Sequence, residues 1–244
     1  RSRIRPMNPS PLPACPDSWY YLGRADALAP GELTTRYLGE QALTVYRTAQ
    51  GRVVATDSHC PHLGASFASA GVVVGEELRC RMHGFCFAAD GACTRTGYDT
   101  RPPPRARLRV WPTIERHGLL FVWSASEPEP PGWDVPPLDI TGFSSLRTTT
   151  YRFQGHPQET TENSVDLGHL KQLHGYRDVE MTSPLHTDGA YLTASFAFSR
   201  RADFLARRDD LRVYYTVHVH GLGYSFVDVS VPGFGFRTQQ FVLT

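Results

Sequence analysis

From Trp19 onward, apolar and polar residues alternate in short runs, WYYLG, LTTRYL, ALTVYRT and VVATDS, separated by Gly, Asp and Pro. Alternation with a period of two marks half-buried strands. Ala49-Gln50-Gly51 predicts a hairpin turn between the last two runs, and Ala89-Asp90-Gly91 a second turn. Arg107–Val110 and Leu119–Trp123 are predicted to pair, turning near Arg116-His117-Gly118. Residues 19–125 are therefore expected to form one all-β domain. Residues 1–18 carry five prolines and no periodicity, which reads as an extended lead-in. Residues 126–140 are Pro-rich, and proline removes backbone donors, so they read as a connector.

Residues 141–244 have a different pattern. Leu146–Gln154 predicts a strand and Gln158–His174 a helix. Four longer strands follow at Tyr191–Ser199, Leu211–His220, Tyr224–Val231 and Phe236–Leu243, with a turn at Gly221-Leu222-Gly223. One helix on a long antiparallel sheet gives an α+β class for the whole chain.

Charge and composition narrow the function classes. A net charge of +1 over 244 residues gives no basic surface for nucleic acid. No apolar run approaches the ~20 residues of a membrane-spanning helix. Five cysteines are an odd number, and free Cys15, Cys86 and Cys93 suit a cytoplasmic protein better than a disulfide framework.

The densest chemistry lies between Cys60 and His83. Cys60-Pro61-His62 and Cys80-Arg81-Met82-His83 are two Cys-plus-His pairs, followed by Gly64 and Gly84. Thiolates on one iron and imidazoles on the other would hold a two-iron, two-sulfide cluster, and replacing two thiolates by neutral imidazoles raises its potential. Zinc is the competing metal, although zinc sites more often pair Cys with Cys and His with His. CPHLGA followed by CRMHGFCF resembles the Rieske cluster motif. In respiratory Rieske proteins each loop adds a cysteine and the two form a disulfide. The corresponding positions here are Ala65 and Met82, which points to the ferredoxin or oxygenase branch.

On the predicted helix, Asp166 and His169 share a face, whereas His169 and His174 are five apart, about 140° around a regular helix. Both histidines reach one ion only if the helix widens or ends near the second, and Gly168 and Gly175 would permit either. Two histidines and a carboxylate form the facial triad of non-haem iron sites. Asn163-x-x-Asp166-x-x-His169-x(4)-His174 resembles the catalytic motif of Rieske non-haem iron oxygenases, and ENSVDLGHLKQLHG is similar to its steroid hydroxylase and cholesterol desaturase branch.

That resemblance implies a Rieske [2Fe-2S] domain joined to a helix-grip catalytic domain. Cys60, His62, Cys80 and His83 would hold the cluster, and His169 and His174 a mononuclear Fe(II) that activates O2. Asp166, with Asn163 in the same motif, would link this iron to the cluster of a neighbouring subunit in a homotrimer. The family's third iron ligand is an Asp on a helix after the sheet. Asp178, Asp188, Asp203, Asp209, Asp210 and Asp228 do not match it, so a C-terminal portion is expected beyond this numbering.

The expected reaction is hydroxylation, desaturation or O- or N-demethylation of a bulky hydrophobic substrate. His218, His220, Tyr215 and Phe226 are candidate pocket residues. No G-x-G-x-x-G signature is present, so electrons should come from a separate NAD(P)H-dependent reductase or a ferredoxin. The rivals are a Rieske electron carrier, which would end near residue 125, and an inactive relative lacking the third carboxylate.

Overall fold

A computed structural model describes residues 13, 15–151, 154–201 and 210–243. Most of the predicted lead-in, together with Asp203 and Asp209, lies outside these residues. The first half contains β1 (Ser18–Arg24), β2 (Leu33–Leu38), β3 (Gln41–Arg47), β4 (Val53–Asp57), α1 (Phe67–Ala70), β5 (Gly71–Val74), β6 (Glu77–Cys80) and β7 (Cys86–Phe87). It continues with β8 (Cys93–Arg95), β9 (Val110–Trp111), β10 (Thr113–Arg116) and β11 (Leu119–Ser124). These strands form three small antiparallel sheets, ordered β1-β11-β10, β2-β3-β4-β9 and β5-β6-β7-β8. The predicted hairpin turns at 49–51 and 89–91 are present, between β3 and β4 and between β7 and β8.

One predicted pairing is wrong. Leu119–Ser124 pairs with β1 and β10, not with Arg107–Val110. The Trp111 indole N–H donates to Asp57 Oδ1 at 2.9 Å, which ties β9 to β4. Pro112, which has no N–H to continue that ladder, then turns the chain into β10.

The second half contains α2 (Pro157–Asn163), α3 (Leu167–Gln172), β12 (Arg177–Asp188), β13 (Tyr191–Arg201), β14 (Asp210–His220), β15 (Tyr224–Val231) and β16 (Phe236–Leu243). Its five strands form a single meander in sequence order. β12 eluded the sequence pattern because it is an exposed edge strand with three register shifts and Pro184 inside it. The strand predicted at Leu146–Gln154 is absent. Residues 146–151 and 154 have no helix or strand, and Arg152 and Phe153 lie outside the described residues. Thr148, Thr149 and Thr150 have strand propensity but stay exposed with no partner ladder.

Two apolar layers flank the long sheet. On one face Phe196, Phe198, Val213, Val217 and Val229 bury against Val165, Leu167 and Tyr176 of the helical segment. On the other, Tyr224 and Phe226 join Trp19, Leu119, Phe121 and Val135, and the first sheet is thereby sealed to the long one. Burial of side chains this size stabilises by about 1.5–3 kcal/mol each. Among the described residues no helix is long and apolar enough to cross a membrane.

Candidate metal centres

The two Cys-His loops have the same backbone design. The Cys60 N–H donates to Ala65 O at 2.9 Å, and the Gly64 N–H returns to Cys60 O at 2.9 Å. The Cys80 N–H donates to Phe85 O at 2.8 Å, and the Gly84 N–H returns to Cys80 O at 2.9 Å. Both glycines have positive φ, +74° and +70°, which L side chains adopt only with strain. The histidine is the third residue of one loop and the fourth of the other, so the two rings meet edge to face at 4.7 Å and 88°.

Cys60 and Cys80 are 3% and 1% exposed. Burial pushes the Cys60 thiol up to about 11, with Cys80 alongside adding to the effect. A metal cation would deprotonate such a thiol outright. His62 Nδ1 is buried with no hydrogen-bond partner, which suits a metal ligand. Among the described residues, no three His, Cys, Asp or Glu side chains converge where a single ion could sit. Two thiols and two imidazoles are the donor types of a two-iron cluster in which each iron takes one pair. Pattern reasoning missed two flanking rings. Phe85 stacks on His62 at 4.4 Å, and Tyr98 lies 6.1 Å from His62 and 6.2 Å from His83. The adjacency of Phe85 to the His-Gly of the second loop was the available signal.

The helix predicted over Gln158–His174 is instead two helices. The chain breaks at Ser164-Val165-Asp166, where Asp166 is extended and its Oδ1 accepts the Gly168 N–H at 2.7 Å as the N-cap of α3. Asp favours such caps over helix interiors because its short carboxylate satisfies a terminal N–H. α3 then stops at Gln172. The His174 N–H reaches five residues back to His169 O at 3.5 Å, and the Tyr176 N–H six back to Leu170 O at 3.1 Å, with Gly175 at φ +64°. This widened end brings the imidazoles together, with His169 Nε2 and His174 Nε2 3.0 Å apart. Metal–imidazole bonds of about 2.1 Å at a right angle would place two nitrogens about 3.0 Å apart, so the pair fits one ion. Asn163 ends α2, and both Asn163 and Asp166 are exposed.

The four candidate pocket residues divide between the faces of the sheet. Tyr215 packs with Val165, Leu167 and Tyr176 on the face that carries α3, and burial pushes its phenol up to about 12. His218, His220 and Phe226 project from the opposite face. There His218 stacks on Phe226 at 4.5 Å, and its Nδ1 meets the Tyr191 hydroxyl at 2.8 Å. Burial, with His218 nearby, pushes His220 down to about 4. The structure does not bring these three residues together with His169 and His174. Alternation along β14 alone fixes this, because Val213, Val217 and Val219 take the helical face.

Residues 18–112 match the Rieske [2Fe-2S] domain family, and residues 122–244 match the 3-ketosteroid 9alpha-hydroxylase C-terminal domain family. The chain belongs to the Rieske oxygenases. It is 39% identical over 178 residues to a cholesterol 7-desaturase of Xenopus laevis, covering 70% of this chain and 39% of that protein. It is 31% identical over 162 residues to the oxygenase component of a 3-ketosteroid-9-alpha-monooxygenase of Rhodococcus rhodochrous, covering 64% and 41% respectively. The chain thus spans about two fifths of the curated relatives it matches. Among solved structures, dicamba monooxygenase bound to dicamba superimposes with a TM-score of 0.65 at 18% identity, covering 93% of this chain and 72% of that one, which shows a shared fold. Rieske oxygenases carry the [2Fe-2S] cluster, a mononuclear non-haem iron and use O2, and the donor sets described above are of the matching types.

Proposed function

We propose that this Rieske oxygenase is the terminal component of a multi-component system that oxidises C–H bonds of a bulky, sterol-like substrate by hydroxylation or desaturation. The observation that carries the reading is the approach of His169 and His174, with Asp166 capping the same helix, in a chain that also has the two cluster loops. In this reading Cys60 and Cys80 hold one iron of the cluster, His62 and His83 the other, and His169 and His174 the mononuclear iron. When bound, the cluster would supply single electrons and the mononuclear iron the activation of O2.

The chain's own residues prepare this chemistry. The loop hydrogen bonds fix the four cluster donors, and Phe85 covers one face of His62. The cap at Asp166 sets where α3 begins and hence where His169 points. Asp166 is exposed and so accessible to a histidine of a neighbouring subunit, and in this reading the active species is a homotrimer. Electrons come from a separate reductase or ferredoxin, and the protein works in the cytoplasm, where Cys15, Cys86 and Cys93 remain thiols.

The test is iron content together with turnover. His169→Ala and His174→Ala should each drop from three irons per chain to two and lose all O2-dependent oxidation of sterol or 3-ketosteroid substrates. The visible absorption of the cluster should remain. Three irons and normal turnover in either variant would overturn the assignment.

A further inference from the structure

His174 is exposed and lies beyond the end of α3, whereas His169 is held inside the helix. An imidazole at such a place samples several staggered rotamers, and only some aim Nε2 at the His169 nitrogen. Two rings lie against it, His169 and Tyr176. The Tyr176 ring runs parallel to His174 within 18° at 5.3 Å. It also lies parallel to Phe198 within 2° at 4.2 Å, and Phe198 is 3% exposed in the core of the sheet. The Tyr176 N–H bond to Leu170 O, itself a buried residue, fixes the backbone from which that ring projects.

We propose that Tyr176 is a positioning residue, holding the His174 imidazole in its metal-facing orientation through a ring ladder anchored at Phe198. The inference rests on His169 and His174 being the iron ligands. Tyr176 could fill space against the sheet with any apolar side chain of its size. Its flat ring stacks on Phe198, faces the Arg200 guanidinium 6.0 Å from its centroid, and presents a plane to the neighbouring imidazole. Stacking fixes the ring plane before the metal arrives, so less rotamer freedom is lost on binding. Residues that orient a metal-bound histidine change affinity by about 10–100-fold when removed. An exposed contact through stacking alone belongs at the low end of that range.

The experiment compares the iron-loaded parent with Tyr176→Phe and Tyr176→Leu. Ferrous-iron affinity is read by competition with a coloured chelator, and the ligand field by the electron-paramagnetic-resonance spectrum of the ferrous site with nitric oxide as probe. Tyr176→Leu should bind iron about tenfold more weakly with a shifted spectrum, while the Rieske signal stays unchanged. Tyr176→Phe, which keeps the ring, should match the parent. Parent-like affinity and spectrum in Tyr176→Leu would overturn the proposal, as would Tyr176→Phe failing as badly as Tyr176→Leu. If Tyr176→Leu does not fold, Phe198→Leu removes the anchor instead and should weaken iron binding in the same direction. Unchanged binding there would equally overturn it. A parent that retains its third iron after His174→Ala would instead sink the ligand assignment itself, a separable result.

Discussion

The two candidate metal centres are built on opposite plans. Each cluster loop closes on itself through a pair of backbone hydrogen bonds within six residues, and its thiols are buried. The histidine pair relies on a helix end, a glycine turn and one stacked ring, and His174 is exposed. Where the backbone fixes the donors, the site is complete within one stretch of chain. Where side-chain packing fixes them, two donors come together and further donors must arrive from elsewhere.

Chelation gives the largest contrast. A membrane-impermeant ferrous chelator should strip the mononuclear iron entirely while leaving the cluster absorption intact, because exposed donors exchange and buried thiolates do not. Loss of both at equal rates would erase the distinction. Asp166→Asn sharpens the histidine side. Asn caps a helix about as well as Asp, so α3 should keep its start and both metals should stay bound. Turnover should nevertheless fall about 100-fold through loss of the carboxylate charge that orients a histidine. Circular dichroism with steady-state rates checks both halves of that expectation.

The smallest effect probes the loops. At Gly84 an added Cβ would lie 2.9 Å from Gly97 Cα, whereas at Gly64 nothing lies within 4 Å, although both have positive φ. Gly84→Ala should therefore cost about 2 kcal/mol or more, and Gly64→Ala only the dihedral strain of about 1 kcal/mol. Denaturant midpoints of the two variants measure the difference. Equal costs would mean that the paired loops are not under different crowding.

Much of this was readable before any coordinates. Spacing alone marked Cys60, His62, Cys80 and His83, because both loops are local and each ligand pair has its own glycine. The long strands were legible where apolar alternation is clean, as in β14. The break at Asp166 was not, since a cap residue inside an otherwise helical string looks the same as a surface Asp until its carboxylate is seen on the Gly168 N–H. The pairing of β11 was missed because its partner β1 is remote in sequence, with Ser18 opposite Ser124. His218 and His220 lie on the same strand as Tyr215. Strand parity separates them, and the burial of Val217 and Val219 decides which face is which.

The seam between the first sheet and the long one also bears on how the chain is made. Ser18 Oγ accepts the Leu222 N–H at 3.1 Å, across 204 positions of sequence. Any side chain at Gly223 would strike Trp19 O, at 1.9 Å from an added Cβ. β1 thus emerges during synthesis 204 positions ahead of the turn that covers it. At about 5–20 residues per second, Trp19 waits roughly 10–40 s for the turn that buries it. Throughout that interval the Trp19 indole lacks Tyr224 and Phe226, part of its final cover, and leaves an aromatic surface open to a chaperone or a neighbouring nascent chain.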